Sequence, residues 1–333
     1  MCRTTLSRSR IAGVTLASLA AVPCAAALAP QDPAATYPSR PIRIVIGFSA
    51  GSTVDVSARV IGQKMTETWK QQVVADNRPS AGGIIAAQTV AHANPDGYTL
   101  LSVSASHAVA PAMYSKLPYD TAKDFAGITT TVSVPAVLIV APSLGVKTVK
   151  DLVSMAKAKP GQINFSSAGV GSATHFSAEL FKSLAGINVQ HVPYKGIPEA
   201  VTEAMLGRVQ FMLSPMSNAM PFIKEGRLVA LAVSPAKRLA VLPNVPTIAE
   251  AGVPGYEWQT WFGLLAPAKT PRPIIAKLNR EVTRILNLPE SKERWNALGC
   301  DPVPIAPEAF DKFVVEQIAL FTKLARAANI KAD

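Results

Sequence analysis

Ile42-Arg43-Ile44-Val45-Ile46-Gly47-Phe48-Ser49-Ala50-Gly51-Ser52-Thr53-Val54-Asp55 runs a β-branched segment into a loop and out into a second periodic stretch. Beyond the loop, apolar residues fall at Val54, Ala58, Ile61 and Met65, the spacing of a helix face. The reading is strand, tight loop, helix. The first N–H groups of such a helix have no partner within it, and the positive end of its dipole lies behind them, so the loop favours an anion. On this stretch alone an ordinary βα turn is the better explanation, because any α/β domain contains several.

Working outward, the β/α alternation continues. Gln72–Ala75 is a strand, Asn77–Gly83 a loop, Ile84–Ala93 a helix, and Tyr98–Val103 a buried strand ending in the polar loop Ser104-Ala105-Ser106-His107. This is the pattern of a parallel sheet. After a looser segment through Phe125, the apolar run Ala136–Val140 leads into a second α/β unit. Thr148 and Asp151 are spaced as a capping box for a helix over Val149–Ala158. Strand Ile163–Ser167, loop Ala168–Ser172 and a helix carrying Phe176, Leu180 and Leu184 repeat the opening motif. Strands at 189–194, 209–213 and 228–233 alternate with helices at 198–206 and 217–225, and Thr247 with Glu250 forms another capping box. Two amphipathic helices close the chain, with Ile275, Leu278, Val282 and Ile285 on one face and Phe310, Val314, Ile318 and Phe321 on the other. No strand accompanies them, so they are expected to pack on the first unit. The apolar runs at 136–140 and 261–265 bracket the middle unit as the two crossings of a hinge. The expected fold is α/β, with two α/β domains: residues 38–139 plus 259–333, and residues 140–258.

The 333 residues are 49% apolar, with no low-complexity block, which suits a folded protein with a large core. Arg3, Arg8 and Arg10 precede the apolar run Ile11–Val22, which is too short to span a bilayer. With small residues around Ala27-Leu28-Ala29, residues 1–29 read as an export signal, and the mature chain is expected in the periplasm. Pro23 beside Cys24 fits a lipidation site poorly. Cys300 is then the one cysteine left, so no intramolecular disulfide is expected. Losing the three arginines lowers the net charge of +11 to about +8. The remaining Lys and Arg are dispersed, whereas nucleic-acid binding needs them clustered with aromatics.

Catalytic signals are thin. Gly171-Ser172-Ala173 is no nucleophile elbow, and neither a Walker loop nor a zinc helix is present. Gly169-x-Gly171-x-x-Thr174 ends in Thr where the dinucleotide fingerprint has Gly or Ala. No cofactor, metal or enzymatic activity is expected. The two loops Phe48–Asp55 and Ser167–His175 occupy equivalent strand ends, where open α/β sheets bind ligands. Facing each other, they would present two helix N-termini to one cleft. Asp55 suits its helix start, His175 is either a polar wall or core packing, and Tyr194 ends a strand with its hydroxyl able to reach the cleft. Ser104 and His107, at the third strand end, are further candidates.

The landmarks Tyr37-Pro38-Ser39-Arg40-Pro41-Ile42, Gly51–Asp55, Asn77–Gly83, Pro95–Leu100, Leu117–Asp120, His191–Gly196 and Leu242–Thr247 are together highly specific. From about Tyr37 onward the chain resembles the substrate-binding proteins of tripartite tricarboxylate transporters, the Bug or TctC-like family. That resemblance implies a periplasmic-binding-protein-like fold of type II, a Venus flytrap with a discontinuous first domain. It implies a small carboxylate held between the loops by backbone groups, hydroxyls and bridging water. Carried over, the ligand-binding residues are Phe48, Ser49, Ala50, Gly51 and Asp55, facing Ser167, Ala168, Gly169, Gly171, Ser172, Thr174 and His175. Gly47, Ser52 and Ile84 depart from the family's usual Pro, Gly and Asn. Ser214 stands where many members have Asp, a partner for a ligand's ammonium, so a plain mono- or dicarboxylate is expected rather than an amino acid. The expected function is a monomeric receptor delivering that carboxylate to membrane transporter subunits. The alternatives are a sensory receptor for a signalling partner and a cleft enzyme acting on a carboxylate.

Overall fold

β1 (Ile42–Ile46), β2 (Val73–Asn77) and β3 (Thr99–Ser104) are parallel, with β1 between the other two. The crossovers are α1 (Thr53–Trp69) and α2 (Ile84–Ala91). A strand covered on both faces must be apolar throughout. β1 is so except at Arg43, whose Nε donates to Asp76 on β2 at 2.8 Å. The computed structural model describes residues 1–3, 33–297, 299–327 and 330. Most of the expected export signal, including Ile11–Val22 and Cys24, lies outside the described residues.

Where a polar loop was expected after β3, the chain enters α3 (Ser106–Met113). It is buried nearly all round and contains Pro111, so it shows no amphipathic stripe in the sequence. The expected strand at 136–140 is the end of a longer one, β4 (Phe125–Val140). Gly127, three threonines and Pro135 make its first half read as loop. The fold satisfies those threonines internally: Thr129 Oγ1 donates to the Ile305 carbonyl at 2.9 Å, and Thr130 Oγ1 donates to that of Val303.

The second series runs α4 (Val149–Ala158), β5 (Asn164–Ser167), α5 (Ala173–Ala185), β6 (Gln190–Pro193), α6 (Ile197–Met205), β7 (Phe211–Pro215), α7 (Met216–Lys224) and β8 (Val229–Val233). Both hydrogen bonds of the Thr148–Asp151 capping box are present. Thr247 and Glu250 make the same exchange, but the segment they start is a turn rather than a helix. β9 (Gln259–Pro267) then runs antiparallel to β4 and β3. The chain ends with α8 (Arg272–Leu286), α9 (Pro289–Asn296), the two-residue β10 (Asp301–Pro302) and α10 (Pro307–Ala327). β10 is the strand partner that the sequence did not announce, and it pairs β4.

The strand order is β2-β1-β3-β9-β4-β7-β5-β6, with β8 and β10 also on β4. β4 changes partners midway: residues up to Pro135 pair β9, whereas Ala136 onward pair β7 and β8. One sheet half therefore carries α1, α2 and α3, and the other carries α5, α6 and α7. Ser234, just after β8, ties the passage between them. Its hydroxyl accepts the Ala136 N–H at 2.8 Å and donates to the Trp258 carbonyl at 2.6 Å. α8 and α10 bury the faces expected of them, Ile318 being half-buried. α10 packs on α3 and β4, and Phe321 near its end sits between Phe176 of α5 and Trp258.

Candidate functional site

The opening loop is held from beneath. Asp55, in the first turn of α1, accepts the Gly51 N–H at 2.9 Å, Arg59 Nε at 2.9 and 3.0 Å, and Asn77 Nδ2 at 2.9 Å. Asn77 Nδ2 also donates to the Phe48 carbonyl at 3.0 Å. The Asp55 carboxylate is thus spent on shaping the loop and stabilising the helix start, consistent with the preference of that position for a negative charge. Ser52 caps α1 by backbone only, and its buried Oγ has no hydrogen-bond partner.

The second loop is tied by side chains of its own helix. Ser172 Oγ accepts the His175 N–H at 3.1 Å, a standard N-cap. Thr174 Oγ1 accepts the Ala168 N–H at 2.9 Å, and His175 Nδ1 accepts the Gly171 N–H at 3.2 Å. His175 stacks on His191 at 4.0 Å, and Ser167 Oγ is 2.6 Å from His191 Nε2. Burial pushes both imidazoles down, His175 to about 4 and His191 to about 3, the latter helped by repulsion from His175. Both rings are therefore neutral at neutral pH.

The two sheet halves meet at these loops. Ser106 Oγ, at the start of α3, accepts the Ala173 N–H at the start of α5 at 2.8 Å. Tyr114 donates its hydroxyl to the Val170 carbonyl at 3.0 Å. Thr53 Oγ1 lies 2.8 Å from Ser217 Oγ, and Asn218 Nδ2 donates to the Gly51 carbonyl at 3.0 Å.

Between them lies a cavity of about 300 Å³ including its mouth. Helix starts supply much of its wall: Val54 of α1, Ser106 of α3, Ala173 and Thr174 of α5, Ile197 of α6, and Pro215 just ahead of α7. Phe48, Ser104, Ala168, Ser172, Thr260 and Phe262 complete it. No ionisable side chain is among these residues. Five converging helix N-termini and the hydroxyls of Ser104, Ser106, Ser172, Thr174 and Thr260 suit an anionic group. Phe48, Val54, Ile197 and Phe262 offer an apolar surface to the rest of a small molecule.

Of the residues expected at the site, Phe48, Ser104, Ala168, Ser172 and Thr174 come together around this cavity. His107 lies behind Ser106, against an adjoining space. Ser49, Ala50 and Gly51 are not among its lining residues, and the last two are exposed. Asp55, Ser167, Gly169, Gly171 and His175 support the loops rather than line the cavity. Burial, and after it the Glu203 carboxylate, raises the pKa of Tyr194, and Ser214 Oγ donates to the Pro215 carbonyl at 3.1 Å. Trp258 and Trp261 do not line the cavity, but Trp258 Nε1 donates to Thr260 Oγ1 at 2.9 Å. Sequence reasoning missed Val54, Ser106, Ala173, Ile197, Pro215, Thr260 and Phe262. The strand-end-to-helix pattern is the signal for Val54, Ala173, Ile197 and Pro215. Nothing in the apolar run 261–265 distinguished which face of β9 turns inward.

Cys300 is fully buried, and burial pushes its thiol up to about 12, which makes it a poor nucleophile. Among the described residues, no cluster of His, Cys, Asp and Glu is suited to a metal ion, and no helix is long and apolar enough to cross a membrane.

A family model described as "Tripartite tricarboxylate transporter family receptor" matches residues 57–330. Protein BugT of Bordetella pertussis is 34% identical over 308 residues, covering 92% of this chain and 94% of BugT. Among solved structures, R. palustris Rpa4515 with adipate is 36% identical with a TM-score of 0.85, covering 88% of this chain and 98% of that one. MatC from Rhodopseudomonas palustris with bound malate is 33% identical with a TM-score of 0.83, covering 86% and 99%. The periplasmic binding protein BugD is 32% identical with a TM-score of 0.85, covering 89% and 100%.

Proposed function

The chain belongs to the tripartite tricarboxylate transporter receptor family, and from that premise we propose that it is an exported, monomeric receptor for a small organic carboxylate. It captures the ligand in the cavity between the sheet halves and hands it unchanged to the membrane subunits of a tripartite transporter. The observation that carries this reading is the convergence of five helix N-termini on a cavity without a charged side chain. Such a wall stabilises a carboxylate through backbone N–H groups and hydroxyls, yet offers no charged acid, base or nucleophile for chemistry.

In this reading one carboxylate sits near the hydroxyls of Ser106, Ser172 and Thr174. The Ser106–Ala173 and Tyr114–Val170 bonds close the halves over it. The hinge lies where β4 changes partners at Pro135–Ala136 and where the chain returns at Trp258–Gln259, so the lobes are residues 38–135 plus 259–333 and residues 136–258. Closure buries the ligand and presents a joint surface to the transporter. Relatives solved with adipate and malate support a plain mono- or dicarboxylate as ligand class.

The test is mass spectrometry of what denatured, freshly purified protein releases, with a thermal-shift screen of small carboxylates. An unchanged organic acid that raises the melting temperature is expected. Chemical turnover of that acid, or the absence of any stabilising carboxylate, would overturn the proposal.

A further inference from the structure

Beside the main cavity lies a second of about 240 Å³ including its mouth, and the two share Phe48, Ser104 and Ser106. It opens between the β1–α1 loop, the Gly82-Gly83 pair ahead of α2, and the second residue of α3, His107. His107 is 4% exposed. Its ring bonds to the Thr121 main chain, and its Nε2 has no hydrogen-bond partner. The Thr121 bond favours the protonated ring, as donation to a carbonyl does, so Nε2 is left as a bare lone pair. Buried polar atoms in native structures nearly always have partners, so an unpaired acceptor on a residue that lines a cavity calls for one.

The electrical surroundings decide what that partner is. Neither cavity is lined by a charged side chain. Tyr119, ahead of β4, is the titratable group stacked on the ring at 6.0 Å, and burial raises its pKa further. Phe125 meets the ring edge-on at 4.8 Å, while α2 and β3 present Ala87, Leu101 and Ser102 to the cavity. A carboxylate oxygen set against Nε2 would place lone pair against lone pair, whereas a donor completes the ring's hydrogen bonding.

We infer that this cavity is a subsite for the far end of the ligand, selecting an uncharged group that donates a hydrogen bond to Nε2 of His107. A hydroxyl, a primary amide or a protonated carboxyl qualifies. The inference rests on the main cavity holding the ligand's other carboxylate. A dicarboxylate therefore enters as its monoanion, taking up one proton from solution that stays on the ligand's distal oxygen. The ring, pushed down to about 4 by burial, remains neutral while this happens.

The test uses titration calorimetry on length-matched acids from succinate to suberate, comparing the dicarboxylate, its ω-hydroxy and ω-amide counterparts, and the plain alkanoate. At the best length, the hydroxy or amide acid is expected to bind about tenfold tighter than the alkanoate, with affinity flat in pH. The dicarboxylate is expected to weaken about tenfold per pH unit above its second pKa, with uptake of one proton. His107→Phe keeps the aromatic packing and should erase the advantage of the donor end, read as the ratio of donor-acid to alkanoate affinity within the variant. His107→Gln, which retains an acceptor, should keep part of it. A dicarboxylate that binds tightest with no proton uptake, or a donor preference that survives in His107→Phe, overturns the inference alone. If no acid of any kind binds, the carboxylate-receptor reading fails and the subsite falls with it.

Discussion

Gly171→Ala separates the cost of shaping the second loop from the cost of closing the two halves. Gly171 has φ of +71°, a conformation that costs an alanine about 1–2 kcal/mol. That cost is present whether or not the halves meet, so it appears as lost stability. A Cβ at this position also comes within 2.5 Å of Tyr114 Cε2 and 2.8 Å of its hydroxyl. Tyr114 must then retreat and give up its bond to the Val170 carbonyl, which contributes about 0.5–1.5 kcal/mol. Tyr114 and Val170 lie on opposite halves, so this second cost falls on the closed form and appears in affinity. Calorimetry should show binding weakened by about tenfold, since about 1.4 kcal/mol is a factor of ten. Adding Tyr114→Ala removes the obstruction, so the double variant should bind no worse than Tyr114→Ala alone. Wild-type affinity in Gly171→Ala, or strict additivity in the cycle, would refute the argument that closure brings these groups together.

Three further outcomes follow from other residues. Ser234→Ala strands the Ala136 N–H and the Trp258 carbonyl, and urea denaturation should show a loss of about 1–3 kcal/mol. His107, His175 and His191 are held neutral by burial with pKa values of about 4, 4 and 3, whereas unfolded histidine titrates near pH 6.5. The unfolded state therefore binds more protons between those limits. Stability should be flat above about pH 6.5 and fall below it by about 1.4 kcal/mol per pH unit for each histidine, until the folded rings protonate. Cys300, in protein made without residues 1–29, should resist iodoacetamide in the native state and react after denaturation, as read by intact mass.

The strand-loop-helix order of both halves was legible because β-branched runs and helical spacing alternate cleanly there, as at 42–65 and 163–184. Those stretches also placed Phe48, Ala168, Ser172 and Thr174. What was hidden had physical reasons. α3 is short and buried nearly all round, so its periodicity is blank, and with it went Ser106. The first half of β4 contains Gly127, threonines and Pro135, whose strand character depends on partners supplied by the segment 303–305 much later in the chain. Asp55 and His175 were candidates for the ligand through the family resemblance, yet their polar atoms answer to local N–H groups of their own loops. A sequence shows which residues can make hydrogen bonds. Which partners they take depends on loop geometry that only the fold determines.

Trp258 gives a direct view of occupancy, because its indole N–H bonds to Thr260 at the cavity wall. The measurement that bears most directly on the central claim is a fluorescence and calorimetric titration of the best-binding carboxylate against its methyl ester at the same carboxyl. The account predicts that the ester, which cannot present an anion to the converging helix N-termini, binds at least about a hundredfold more weakly. Equal affinity of acid and ester would contradict it.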